Sequence, residues 1–189
     1  MKRSLSLLFV FGLIVVTGQI LTTTGRADGG FALTAPVVVP TPAKAKPTRE
    51  IVFLDGEYDG VAVKKTDAQW KRELSQDEYR VMRLDGTEYP YTGALTDNKK
   101  AGTYHCAACG LILFRSENKY DSGTGWPSFY DVAFKKNVIE SEDRSLAEIR
   151  TEVECARCKA HLGHVFDDGP RPTGLRYCIN SVSLRFKQK

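Results

Sequence analysis

Two Cys-x-x-Cys pairs, CAAC at Cys106 and Cys109 and CARC at Cys155 and Cys158, constrain this chain more than any other feature. A tight turn between two cysteines aims both sulfurs the same way, and two such turns side by side form the tetrahedral four-sulfur site of structural zinc. The pairs lie 45 residues apart, more than a single ribbon spans, so two hairpin ends distant in sequence must meet, as they do in a β domain. The competing use of these cysteines is disulfide formation, which an exported location favours. Bridges within Cys-x-x-Cys are strained, oxidising and typical of catalytic redox sites, and two of them in one domain would be odd. Spacing therefore favours a structural zinc that does no chemistry, and it leaves Cys178 outside the metal site.

The first 27 residues have the layout of a secretory signal: Lys2 and Arg3, an apolar run over 7–16, then small and polar residues ending at Ala27. The rival reading is an uncleaved membrane anchor, but Gly12, Thr17, Gly18 and Gln19 dilute the run below about 20 apolar residues. Of the 27 basic and 23 acidic residues, Lys2, Arg3 and Arg26 leave with this segment and no acid does. The near-neutral remainder excludes the basic footprint of a nucleic-acid binder. Pro36, Pro40, Pro42 and Pro47, spread through small residues, mark 28–50 as linker, and 51–189 as the folded domain.

Within that domain, Thr66 with Gln69 and Ser75 with Glu78 fit capping boxes and predict short helices over 67–73 and 76–82. From residue 102 onward the segments are short, β-branched or aromatic, and bounded by Gly, Asp or Asn. The fold expected is mainly β, a sandwich-like or barrel arrangement of antiparallel strands with short N-terminal helices and a zinc site. In the last segment, Val182, Leu184 and Phe186 alternate with Ser181, Ser183 and Arg185, and the same period places Cys178 and Asn180 on the core face at the strand's entrance.

A lone cysteine is usually an inert small hydrophobe. The neighbours of Cys178 argue otherwise: Arg176, two residues earlier, favours a thiolate, and His161 and His164 follow the second Cys pair, on a loop that a metal would anchor. The stretches GTEYPYTG, KYDSGTGWPSFYD and CARCKAHLGHVFDDGPRPTGLRYCINSVSLRF, in this order, closely resemble the methionine-R-sulfoxide reductase (MsrB) family over about 68–186. The resemblance implies a zinc held by Cys106, Cys109, Cys155 and Cys158, and a nucleophile at Cys178. It also implies an indole wall at Trp126 against the substrate's S-methyl group, His161 and His164 at the sulfoxide oxygen, and Asn180 in the same hydrogen-bonding network. With Arg176 counted among the substrate-binding residues, the chain is expected to repair oxidised proteins as a monomer in the periplasm. Its reductant would be a thioredoxin-like protein or a low-molecular-weight thiol.

One departure matters. Many relatives carry a resolving cysteine where this chain has Thr124, so a one-cysteine cycle reset by an external thiol is expected. Two rival classes remain: a zinc-knuckle interaction module in which Cys178 is core, and a dithiol oxidoreductase using one Cys-x-x-Cys. The second requires a helix N-terminus at the motif, whereas YHCAACGLILF and VECARCKAHLG read as strand, turn, strand.

Overall fold

The computed structural model describes residues 49–189. The expected signal segment, 1–27, and the linker up to residue 48 lie outside the described residues. Arg49, at the end of the expected linker, pairs with Glu73 at 3.0 Å and donates to the Ala108 carbonyl at 3.0 Å.

Both helices form where the capping boxes put them: α1 is Asp67–Glu73 and α2 is Gln76–Arg83. Gln69 Oε1 accepts the Thr66 N–H at 2.7 Å and Glu78 Oε2 accepts the Ser75 N–H at 2.7 Å, while each cap hydroxyl accepts the N–H three residues on. Two otherwise orphaned donors are thus satisfied at each start. Helices this short do not persist alone; burial of Trp70 on α1, of Leu74 at its C-cap and of Val81 and Met82 on α2 holds them in place.

Nine strands follow: β1 (Gly102–Cys106), β2 (Ile112–Arg115), β3 (Lys119–Tyr120), β4 (Ser128–Phe129), β5 (Val138–Asp143), β6 (Arg150–Cys155), β7 (His161–Phe166), β8 (Arg176–Ile179) and β9 (Leu184–Gln188). They build a three-stranded sheet in the order β2-β1-β9 and a six-stranded sheet in the order β3-β4-β8-β7-β6-β5. Every pair of named strands is antiparallel, as the sequence predicts. The core lies between the sheets. Phe114 of β2 stacks on Phe129 of β4 at 4.3 Å between centroids, and Tyr104 of β1 meets Phe129 edge-on at 5.0 Å. Tyr177 of β8 completes the cluster at 5.8 Å from Phe114. All four rings are fully buried, and aromatic pairs in these geometries add to the stabilisation that area burial gives.

The C-terminal alternation resolves differently from the sequence reading. The segment is two strands in two sheets, β8 and β9, joined by a 3-10 turn over Ser181–Ser183. Ser181 and Ser183 are buried because they have partners there: Ser181 Oγ accepts the Leu95 N–H at 2.9 Å and Ser183 Oγ donates to the His161 carbonyl at 3.3 Å. On β8 the core face carries Tyr177 and Ile179, both fully buried, so Cys178 points to the opposite face. A period of two does not carry through a turn that changes sheets.

Candidate active site

The two Cys-x-x-Cys turns are built alike. Gly110 N–H donates to the Cys106 carbonyl at 2.8 Å, and Lys159 N–H donates to the Cys155 carbonyl at 2.9 Å. Both donors sit in the left-handed region, Gly110 at φ 80° and Lys159 at φ 56°. A side chain at Gly110 would strike the Val52 carbonyl at 2.0 Å, which makes glycine obligatory in the first turn. The turns bring Cys106 and Cys158 to 3.6 Å between sulfurs and Cys109 and Cys155 to 3.6 Å, with all four sulfurs within 4.8 Å of one another. Sulfurs at about 2.3 Å from one tetrahedral ion stand about 3.8 Å apart, whereas a disulfide needs about 2.05 Å. The donor set therefore fits a metal ion, and all four thiols are free. Burial, then the neighbouring thiols, push the Cys106 thiol well up; a bound dication relieves that opposition to charge.

Cys178 lies in the middle of the six-stranded sheet, paired with Ser128 of β4 on one side and with His164 of β7 on the other. It opens into a cavity of about 130 Å³ shared with His164, Asn180, Trp126, Thr87, Arg150 and Phe166. Four of the six residues expected at a catalytic or substrate-binding position are thus gathered at one opening. His161 and Arg176 do not line it.

His161 and His164 are three apart, which in a regular strand puts them on opposite faces. A bulge between the Val153–Gly163 and Glu154–His161 pairs removes that alternation, burying Leu162 in the core and bringing the imidazoles to 5.4 Å between ring centroids. Gly163 permits it: a side chain there would meet the Cys178 carbonyl at 2.1 Å. His161 sits behind His164, 2 % exposed, with Nδ1 at 2.6 Å from Glu152 Oε1.

Asn180 locks the bulge to the next segment. Its backbone N–H and its Nδ2 both donate to the Leu162 carbonyl, at 2.8 and 3.0 Å, and its Oδ1 accepts the Glu88 N–H at 3.0 Å. Glu88 gathers the remaining pieces, a role the sequence reading missed although the residue stands inside GTEYPYTG. Its carboxylate accepts the Ser181 and Val182 N–H groups at 2.6 and 3.0 Å, and its carbonyl accepts the Trp126 indole N–H at 3.2 Å. Burial pushes the Glu88 carboxyl up, against the two amides it accepts. Asp143 was missed as well. One of its oxygens accepts from Arg150 Nη2 at 2.5 Å and faces His164 Nε2 at 2.9 Å.

The electrostatics correct one expectation. Arg176 does pull the Cys178 thiol down, but burial outweighs it and the thiol ends above its ordinary value; the Thr124 hydroxyl, 3.9 Å from Cys178 Sγ, opposes burial as well. The guanidinium is also bidentate to Asp168 at 2.7 and 2.8 Å and stacked 4.3 Å over the Phe166 ring. Burial also pushes His164 down, with Asp143 acting in the opposite direction.

An isolated thiol facing a small, partly aromatic cavity with an imidazole beside it is an arrangement suited to cysteine-dependent chemistry, here on a two-sheet β scaffold. The SelR domain family model matches residues 74–188. "Peptide methionine sulfoxide reductase MsrB" of Hahella chejuensis is 57% identical over 124 residues, 66% of this chain and 89% of that protein. The protein of the same description from Leptospira interrogans is 55% identical over 127 residues, 67% of this chain and 97% of its own. That from Pseudomonas putida is 57% identical over 127 residues, covering 67% and 96%. The chain belongs to the MsrB family of peptide methionine sulfoxide reductases.

Proposed function

We propose that Cys178 is the nucleophile with which this chain, an enzyme of the MsrB family, reduces methionine-R-sulfoxide to methionine. The observation that carries this reading is the cavity that holds Cys178, Trp126 and His164 together. The Cys178 thiolate attacks the sulfoxide sulfur while His164 supplies a proton to the sulfoxide oxygen. The attack forms a bond between Cys178 Sγ and the substrate sulfur. The protonated oxygen then passes from that sulfur to Sγ as both the S–O and the new S–S bond break. Methionine leaves and Cys178 keeps the hydroxyl as a sulfenic acid: the substrate sulfur gains two electrons and Cys178 loses them. Trp126, tied to Glu88 through its N–H, offers its ring to the apolar methylthio group. Asn180 and His161 hold the wall of the cavity through the β7 bulge, and Arg176 acts through its pairing with Asp168 rather than from the cavity wall.

The hydroxyl of Thr124 stands next to Cys178, where many relatives have a resolving thiol, and the other four cysteines belong to the sulfur cluster. That supports a one-cysteine cycle in which two external thiols, or one dithiol, reduce the sulfenic acid and release water. Zinc is the ion the four-thiolate set suits best, and when bound it would cross-link the two turns without entering the reaction. The layout of residues 1–27 supports an exported, periplasmic enzyme, and membership in the family supports oxidised proteins as substrate with a thioredoxin-like protein or a low-molecular-weight thiol as reductant.

The test is turnover of the two methionine sulfoxide epimers with a small dithiol, by wild type and by Cys178→Ser. Reduction of the R epimer alone, lost in the variant, is expected; activity confined to the S epimer overturns the reading. Mass spectrometry after substrate without reductant should find a trappable sulfenic acid on Cys178, and an intramolecular disulfide would sink the one-cysteine cycle.

A further inference from the structure

The proton donor itself needs an explanation, because the cavity opposes its charge. His164 is largely buried, and Arg150 and His161 both disfavour a second proton on its ring. Among the described residues, the titratable and charged groups facing it are Asp143 at the end of β5, Arg150 and Glu152 on β6, His161 on β7 and Cys178 on β8. Glu152 is committed to His161 Nδ1 at 2.6 Å. Asp143 is the carboxylate in contact with His164, and it reaches across β6 to make that contact.

Its geometry is fixed at both oxygens. Oδ1 accepts the Ser145 N–H at 2.8 Å, and Oδ2, 2.9 Å from His164 Nε2, also accepts from Arg150 Nη2 at 2.5 Å. The Ser145 hydroxyl and amide, then His164 and Arg150, hold the Asp143 carboxyl well below the usual carboxylate range, so it is an anion at neutral pH. An anion there commits Nε2 of His164 as a donor. The other ring nitrogen, Nδ1, then holds a lone pair in the neutral ring, and it donates to a sulfoxide oxygen only when the ring takes a second proton.

We propose that Asp143 is the positioning residue for His164: it fixes Nε2 as the nitrogen facing away from substrate and stabilises the imidazolium whose Nδ1–H protonates the sulfoxide oxygen as Cys178 attacks. This rests on the reading of His164 as the proton donor. The proton passes from Nδ1 to the departing oxygen, which ends as the hydroxyl of the Cys178 sulfenic acid; the imidazolium becomes neutral and is reprotonated from solvent. Arg150 modulates the pair, because its Nη2 competes for the same carboxylate oxygen.

The proposal predicts opposite pH responses for the two partners of that oxygen. Activity that needs the imidazolium falls as pH rises through the His164 pKa. In Asp143→Asn the ring loses its stabilising anion, so the fall moves to lower pH by about one unit, with kcat down about 10- to 100-fold. In Arg150→Gln the competing cation is gone, and the fall moves to higher pH. NMR titration of the His164 ring in each variant reads the same shifts without relying on turnover, and retained metal content and circular dichroism report the fold. An Asp143→Asn protein whose His164 titrates as in wild type overturns the proposal, as does an Arg150→Gln limb that stays put or moves down. If His164→Gln is inactive while Asp143→Asn behaves as wild type, only the role of Asp143 falls. A fully active His164→Gln would instead remove the proton-donor reading beneath it.

Discussion

The approach to β7 and its middle use cysteine in opposite ways. On the approach, Cys158 and the three other paired cysteines are held by two matching turns that point four sulfurs at one another. At its middle, His164 lies across from Cys178, whose sulfur stands 3.9 Å from the Thr124 hydroxyl with an open cavity in front of it. A closed shell of mutual ligands suits a sulfur that must hold structure, and an unshared one suits a sulfur that must react. The difference also shows how the first region serves the second. The turn at Cys155–Cys158 fixes where β7 begins, and the bulge three to five residues later sets the imidazole beside the thiol.

Cys178→Ser should break the comparison at its reactive end. We expect kcat to fall by about a thousandfold or more while metal content and Tm stay at wild-type values. Cys106→Ser should break the other end. Loss of one sulfur from a buried four-sulfur site is expected to lose the ion, destabilise the fold by several kcal/mol, and reduce activity only as a consequence, with metal analysis and thermal unfolding as readouts. Thr124→Cys should blur the distinction by giving Cys178 a partner. Its oxidised product should change from a sulfenic acid to a disulfide, by mass spectrometry, with turnover within about tenfold of wild type when a dithiol is supplied. The smallest effect is expected at Lys159, the left-handed residue that stands where the first turn has Gly110. Lys159→Gly should stabilise the protein by about 0.5–1 kcal/mol in denaturant unfolding, with activity unchanged.

Some of the site was legible because its signals are local. A capping box is four consecutive residues, and both helices begin where Thr66 and Ser75 place them. A Cys-x-x-Cys turn carries its own geometry, so the four sulfurs could be named in advance as one site. The pairing of His161 with His164 was suggested by a glycine between them, yet the reason they share a side is a bulge, which the two-residue period by itself contradicts. Glu88 and Asp143 were not legible as site residues. Each is an ordinary acid in its own segment and acquires meaning only from partners more than 20 residues away, Ser181 and Val182 for Glu88 and His164 for Asp143.

By itself the sequence determined the class of fold, the helix starts, the four-sulfur cluster and the identity of the odd cysteine, because each follows from spacing within a few residues or from a motif read whole. Only the tertiary structure decided which face of β8 the Cys178 thiol occupies, that burial rather than Arg176 dominates its proton affinity, and which carboxylate stands behind the imidazole. Those outcomes depend on how two sheets close over one another and on which side chains lose water when they do. Such quantities are set by contacts between segments and by burial, and neither is written in the order of neighbouring residues.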